Sequence, residues 1–195
     1  MAYDGPVSRL LNRRISRPLA RLAARRGLRP NQVTLISLGV SAAAPLLFIA
    51  NQPRLGALAI QAASIADGVD GDLARLTGQS TQYGAILDAV TDRYADVMIL
   101  AGMTYWAAKH GRSRTAPLLG LGALVGSLMV SYSRARVEAE TGQVLEPSAR
   151  GYASRDVRLL LAAAGALTRR IPAVLFILAV LTNGSVIWRL SRLRR

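Results

Sequence analysis

The sequence predicts an all-α integral membrane protein, with six transmembrane helices and an N-terminal amphipathic helix at the membrane interface. Three observations carry this expectation. Uncharged runs of 24, 19 and 18 residues occur at 30–53, 115–133 and 171–188, each close to the roughly 20 apolar residues that cross a hydrocarbon core as a helix. Apolar residues make up 51% of the 195-residue chain and mean hydropathy is +0.27. Finally, the 24 arginines and one lysine behind a net charge of +14 sit beside the hydrophobic runs, where basic residues anchor and orient spans.

The elements follow in order. Residues 6–26, PVSRLLNRRISRPLARLAARR, place Arg9, Arg13, Arg17, Arg21 and Arg25 every four residues, with Leu11, Ile15, Leu19 and Leu22 on the other side of the wheel. That pattern predicts a helix in the headgroup layer. Gly27 and Pro30 then break it and open the first span, about 30–50. A second span, about 55–76, begins apolar and ends acidic; the polar turn TGQSTQYG follows. The third, about 84–108, reverses that order. A basic loop at 109–114 leads to span four, about 115–136, and a polar loop at 138–151 to a short fifth span, about 154–167. Arg169 and Arg170 turn the chain into span six, which ends in RLSRLRR. The division is therefore 1–29 as a juxtamembrane helix and 30–195 as the transmembrane domain.

With the N-terminus in the cytoplasm, 18 basic residues fall inside and six outside. The positive-inside bias thus predicts both termini in the cytoplasm of a cytoplasmic-membrane protein. A pI near 11.5 also suits nucleic acid, but arginines placed at span ends predict a lipid partner and no nucleic acid. With no cysteine and one histidine, disulfides and zinc–thiolate sites are excluded. No cleavable signal is expected, because the arginine-rich start has no apolar core.

Six of the eleven acidic residues lie between 67 and 96, in the apolar part of the chain. Asp67 and Asp70 are three apart and Asp88 and Asp92 four apart, so each pair projects from one helix face. The two arms run in opposite directions through a short turn and can meet at one depth. Four converging carboxylates would repel strongly in a partly dehydrated site, and protonation is one escape, a divalent cation the other. Oxygen-only ligands point to Mg²⁺ or Mn²⁺, and several carboxylates can hold two ions, an arrangement suited to phosphoryl chemistry. Aspartates paired only with arginines are the plain alternative. It has few neighbours to draw on, Arg75 and Arg93 being the nearby basic residues. The active site is expected on the cytoplasmic side, and Asp72 and Asp96 receive no role.

Asp67-x-x-Asp70-Gly71-x-x-Ala74-Arg75, then Gly84, Asp88 and Asp92 after gaps of eight, three and three residues, resembles the signature of the CDP-alcohol phosphotransferases. All eight fixed positions are present within 26 residues, and the likeness extends to the amphipathic helix, RPNQVT at the first span, and six spans. The resemblance implies a magnesium-dependent transfer, in which a CDP-alcohol loses CMP and its phosphoryl group passes to the hydroxyl of a second alcohol. It further implies that Asp67 and Asp88 bridge two metals, with Asp70 on the first and Asp92 on the second, and that Asp92 takes the proton of the attacking hydroxyl. Gly71, Ala74, Arg75, Thr81 and Gly84, with Asn31, would form the CDP pocket. A homodimer is also implied, for which the small residues of GLGALVGS could supply a face, as they could supply packing within one protomer.

Arg134, Arg136, Arg155 and Arg158 are expected to gather at the cytoplasmic ends of spans four and five, where guanidinium groups suit an anionic acceptor such as inositol phosphate or another polyol phosphate. Membrane anchoring predicts arginines there as well. Two donors fit. The opening and the later YASRDVRL look more like enzymes using CDP-inositol, and that donor is preferred. CDP-diacylglycerol, with phosphatidylinositol-phosphate or phosphatidylglycerol-phosphate as product, is the alternative. Membrane prenyltransferases also bind diphosphate through aspartates, but on two separated motifs. A non-enzymatic cation-binding membrane protein has no need of Arg75 or Thr81.

Overall fold

The computed structural model describes residues 5–110, 114–142 and 153–193, and among these every regular element is helical. A π-helical turn, Ser8–Asn12, leads into α1, Arg13–Arg25; then come α2, Pro30–Ile49, α3, Pro53–Thr77, α4, Gln82–His110, α5, Ala116–Thr141, α6, Arg155–Leu167, and α7, Ile171–Leu193. Local sequence explains the boundaries. Pro30, Pro53 and Pro117 stand in the first turns of their helices, where the missing N–H costs nothing. Gly78 and Gly142 end α3 and α5 with φ of 67° and 65°, a left-handed conformation that other residues adopt only at a cost.

Helix α2, α5 and α7 are long and apolar enough to cross a membrane. Helices α3 and α4, with 25 and 29 residues, are long enough but carry the acidic residues, and α6, with 13 residues, covers only about 20 Å at 1.5 Å per residue. Helix α5 runs five residues past the expected end of span four. Two i,i+4 pairs, Arg134–Glu138 at 2.9 Å and Arg136–Glu140 at 2.6 Å, favour helix over the loop that their polarity suggested. Residues 143–151 of that loop, and residues 111–113 of the basic loop, lie outside the described residues.

Helix α2 packs along both α3 and α4, whereas α3 and α4 touch each other little; α3 is otherwise flanked by α1 and α6, and α5 lies against α4 and α7. The main core fills one end of the bundle, around Phe48, Ile60, Ile99, Met103 and Trp106. At the other end the two acidic arms stay apart. The α2–α4 crossing is tight, since a Cβ on Gly102 would lie 2.6 Å from Pro45 Cα. Gly102→Ala should therefore cost at least about 1 kcal/mol of stability, because backbone has to move. Thermal unfolding in detergent checks this, and an unchanged midpoint would mean that α2 and α4 separate freely. The glycines of GLGALVGS serve packing inside the protomer. Gly120 faces Thr104 of α4, and Gly122 and Gly126 face Ala179 and Thr182 of α7.

Helix α1 docks on α3 through its small and polar residues. Asn12, Ser16, Ala20 and Ala23 are buried, while Leu11, Ile15, Leu19 and Leu22 are exposed. Asn12 Nδ2 donates to Ser64 Oγ at 2.9 Å, and Ala20 and Ala23 pack against Val69 and Leu73. The leucine stripe thus faces away from the protein.

Candidate functional site

Asp67 and Asp70 project from the last turns of α3, and Asp88 and Asp92 from the first half of α4. The splay of these helices leaves a small, partly open cavity that all four line, walled on the third side by Thr34, Ser37 and Ser41 of α2. Asp67, Asp88 and Asp92 each present one oxygen, all within 4.8 Å of one another. Asp70 lines the same cavity with its own partners: Thr34 Oγ1 donates to Oδ2 at 2.5 Å and the Gly71 N–H to Oδ1 at 2.6 Å. Three carboxylate oxygens this close, with no imidazole or thiolate, form a donor set for a hard divalent cation, so the residues fit Mg²⁺ or Mn²⁺.

Most of the positive charge at the cluster comes from α6. Arg155 Nη1 lies 2.6 Å from Asp67 Oδ2 and 2.9 Å from Asp92 Oδ1, and its Nε 3.0 Å from Asp96 Oδ1. Arg158 is buried, pairing with Asp96 Oδ2 at 2.9 Å and donating to the Ala153 carbonyl at 2.8 Å. Arg134 and Arg136 do not join them; each pairs with a glutamate on its own helix. Arg93 is the sequence neighbour that does reach the cluster, 3.4 Å from Asp92.

The residues implied for a nucleotide fall in two groups. Asn31, Thr81 and Gly84 converge, since a Cβ on Gly84 would lie 3.1 Å from both Asn31 Oδ1 and Thr81 Oγ1. Thr81 Oγ1 also accepts the Gly84 N–H at 3.0 Å, capping α4. On α3, Gly71 lies under the Arg75 guanidinium, 3.5 Å from a built Cβ to both terminal nitrogens, and Ala74 is half-buried beside them.

Sequence reasoning missed several residues here. Thr34, Ser37 and Ser41 are the polar residues on one face of an apolar span, and their i, i+3, i+7 spacing was the available signal. Asp72 receives the Ser16 hydroxyl at 2.8 Å, Arg75 Nη2 at 2.8 Å and the Arg13 guanidinium. Asp96, deeper on α4, also accepts from Ser127 Oγ at 3.2 Å.

Comparison with known proteins adds three findings. Residues 28–188 match the family model described as CDP-alcohol phosphatidyltransferase. The chain is 42% identical over 192 residues to the bifunctional IPC transferase and DIPP synthase of Rubrobacter xylanophilus, covering 98% of this chain but 43% of that protein. In structure it resembles the phosphatidylinositol phosphate synthase of Mycobacterium tuberculosis. With CDP-DAG bound, that enzyme superimposes with a TM-score of 0.77 at 32% identity, covering 91% of this chain and 92% of the other. In complex with manganese and citrate it gives 0.75 at 30% identity, covering 91% and 88%.

Proposed function

The chain belongs to the CDP-alcohol phosphatidyltransferase family, and from that premise we propose that it transfers a substituted phosphoryl group from a CDP-alcohol to the hydroxyl of a polyol phosphate, releasing CMP. The observation that carries this is the approach of Asp67, Asp88 and Asp92 within 4.8 Å on the walls of one cavity. Mg²⁺ or Mn²⁺, as two ions, would be held by these three residues and Asp70, neutralising the diphosphate and polarising the phosphorus under attack. The remaining work falls to the chain. Asp92 accepts the proton of the attacking hydroxyl. Arg75 offers its planar fork to a donor phosphate, and Gly71 keeps the backbone beneath it open. Asn31, Thr81 and Gly84 face the rest of the CDP group, with Ala74 beside Arg75.

Arg155 is the acceptor-phosphate residue best placed, since it lines the cavity, whereas Arg158 is buried and tied to Asp96 and the Ala153 carbonyl, and Arg134 and Arg136 suit anchoring. Arg155→Ala should raise the acceptor KM about tenfold or more while changing the donor KM little, and Arg136→Ala should change neither, as the loss of a charge-assisted bond to phosphate predicts. Steady-state kinetics with each substrate varied in turn checks this. An unchanged acceptor KM in Arg155→Ala would return that arginine to a structural role.

CDP-inositol is the preferred donor, with inositol phosphate as acceptor. Likeness across 98% of this chain to a protein named as an IPC transferase and DIPP synthase favours it. CDP-diacylglycerol is the second reading, favoured by the likeness to an enzyme with CDP-DAG bound. Purified protein given either donor, inositol phosphate and Mg²⁺ should release CMP. Release from one donor alone decides between them, and none from either sinks the proposal.

In the membrane, a juxtamembrane segment, 1–29, precedes a six-span domain, 30–195, with both termini and the site cytoplasmic. The exposed stripe of Leu11 in the π-helical turn and Ile15, Leu19 and Leu22 on α1 supports a helix lying on lipid. A homodimer, implied by the resemblance, would use a face other than the α5 glycines.

A further inference from the structure

Arg155 uses two edges of one guanidinium for two different purposes. Nη1 contacts Asp67 and Asp92, both members of the metal-suited triad, at 2.6 and 2.9 Å. Nε is held 3.0 Å from Asp96, which stands one turn beyond Asp92 and outside the triad. Asp96 is itself fixed. It is buried, its Oδ2 takes Arg158 at 2.9 Å and Ser127 Oγ at 3.2 Å, and Arg158 is tied to the Ala153 carbonyl. The inner edge of Arg155 is therefore anchored and the outer edge exchangeable.

We infer that Asp96 is a positioning residue that pins Arg155 through Nε, and that the exchangeable Nη1 edge couples divalent-cation binding to binding of the acceptor's phosphate. This rests on the reading of the site as one for a divalent cation and a phosphate-bearing acceptor. Nη1 and a cation compete for oxygens of the same two carboxylates, Asp67 and Asp92. A doubly charged ion taken up by the triad draws those oxygens away from a delocalised single charge. The guanidinium cannot then leave the site, because Asp96 keeps its inner edge. Its outer N–H groups instead face the cavity that Asp67, Asp92 and Arg155 line together, where an anion can accept from them. By linkage, phosphate that engages Nη1 removes the competitor for the carboxylates and tightens cation binding by the same factor.

The test measures binding rather than turnover. Mn²⁺ is titrated into the full chain in detergent and followed by electron paramagnetic resonance, with and without inorganic phosphate. In the unchanged protein, phosphate should tighten Mn²⁺ binding about tenfold, within the usual range of coupling between sites. Arg155→Gln should bind Mn²⁺ more tightly on its own and lose the dependence on phosphate. Asp96→Asn should bind Mn²⁺ and lose most of that dependence. Arg155→Gln with unaltered coupling would overturn the inference, and so would full coupling in a folded Asp96→Asn. If Asp96→Asn does not fold, Arg155→Gln at the cavity edge decides alone. Mn²⁺ that fails to bind the unchanged protein would sink the metal reading itself, whereas Mn²⁺ binding with no response to phosphate sinks only the coupling.

Discussion

Asp92→Asn is expected to lower CMP release by about 10²–10⁴-fold, the range for loss of a positioned general base, while Mn²⁺ still binds with reduced affinity. Asparagine keeps the shape and one acceptor oxygen of the side chain but cannot take a proton. Asp67 and Asp88, from opposite walls of the cavity, remain as cation ligands. Asp92 is the proposed acceptor of the proton. Asp70 takes a hydroxyl and a backbone N–H, from Thr34 and Gly71, and Asp96 is buried behind Arg155 and Arg158, whereas Asp92 lines the cavity and its partners are the side chains of Arg155 and Arg93. Asp88→Asn serves as the contrast, since it removes a ligand without removing the base. Turnover in that variant should be restored in part by raising Mn²⁺, and in Asp92→Asn it should not. Asp92→Asn that keeps both turnover and Mn²⁺ binding would end its assignment as the base.

The acidic site was legible in the sequence because its information is local. Spacings of three and four on two neighbouring helices put carboxylates on one face of each, and only a charge anomaly could have marked them within so apolar a chain. What was not legible depends on distant packing. The neutralising arginine lies 59 residues beyond Asp96, and nothing in the local pattern of Arg155 separates it from Arg134 or Arg136. All three read as basic residues at span ends, yet one enters the acid cluster and the others pair with glutamates a turn away. The two arms were expected to meet as a simple hairpin. Instead α2 packs against both and supplies Thr34, Ser37 and Ser41 as the third wall. This follows because small side chains along α2 allow close approach on two sides, a property that hydropathy does not report. Asp72 and Asp96, the two acids without a role in the sequence, prove to be structural partners of arginines on other helices.

The second large effect concerns Asp72. Its Oδ2 receives the Ser16 hydroxyl at 2.8 Å, and its Oδ1 faces both the Arg13 guanidinium and Arg75 Nη2, the latter at 2.8 Å. One buried carboxylate thus joins the surface helix α1 to the arginine offered to the donor phosphate. Asp72→Ala should cost about 3 kcal/mol, the lower end for breaking a buried ion pair, because Arg13 retains some exposure and can turn toward water. Arg75, half exposed, contributes little to that loss. The consequence for Arg75 is positional: without Oδ1 it samples more rotamers, and the donor KM should rise while the acceptor KM holds. Asp72→Asn keeps an acceptor for Ser16 and should fall between the two. Thermal unfolding in detergent reads the first effect, and proteolysis at the exposed Arg25–Arg26 segment, beyond the docked turns of α1, reports whether the helix has come away. An unchanged midpoint together with an unchanged donor KM would show that α1 is held by Ala20 and Ala23 against Val69 and Leu73 alone, and that Arg75 needs no partner to be in place.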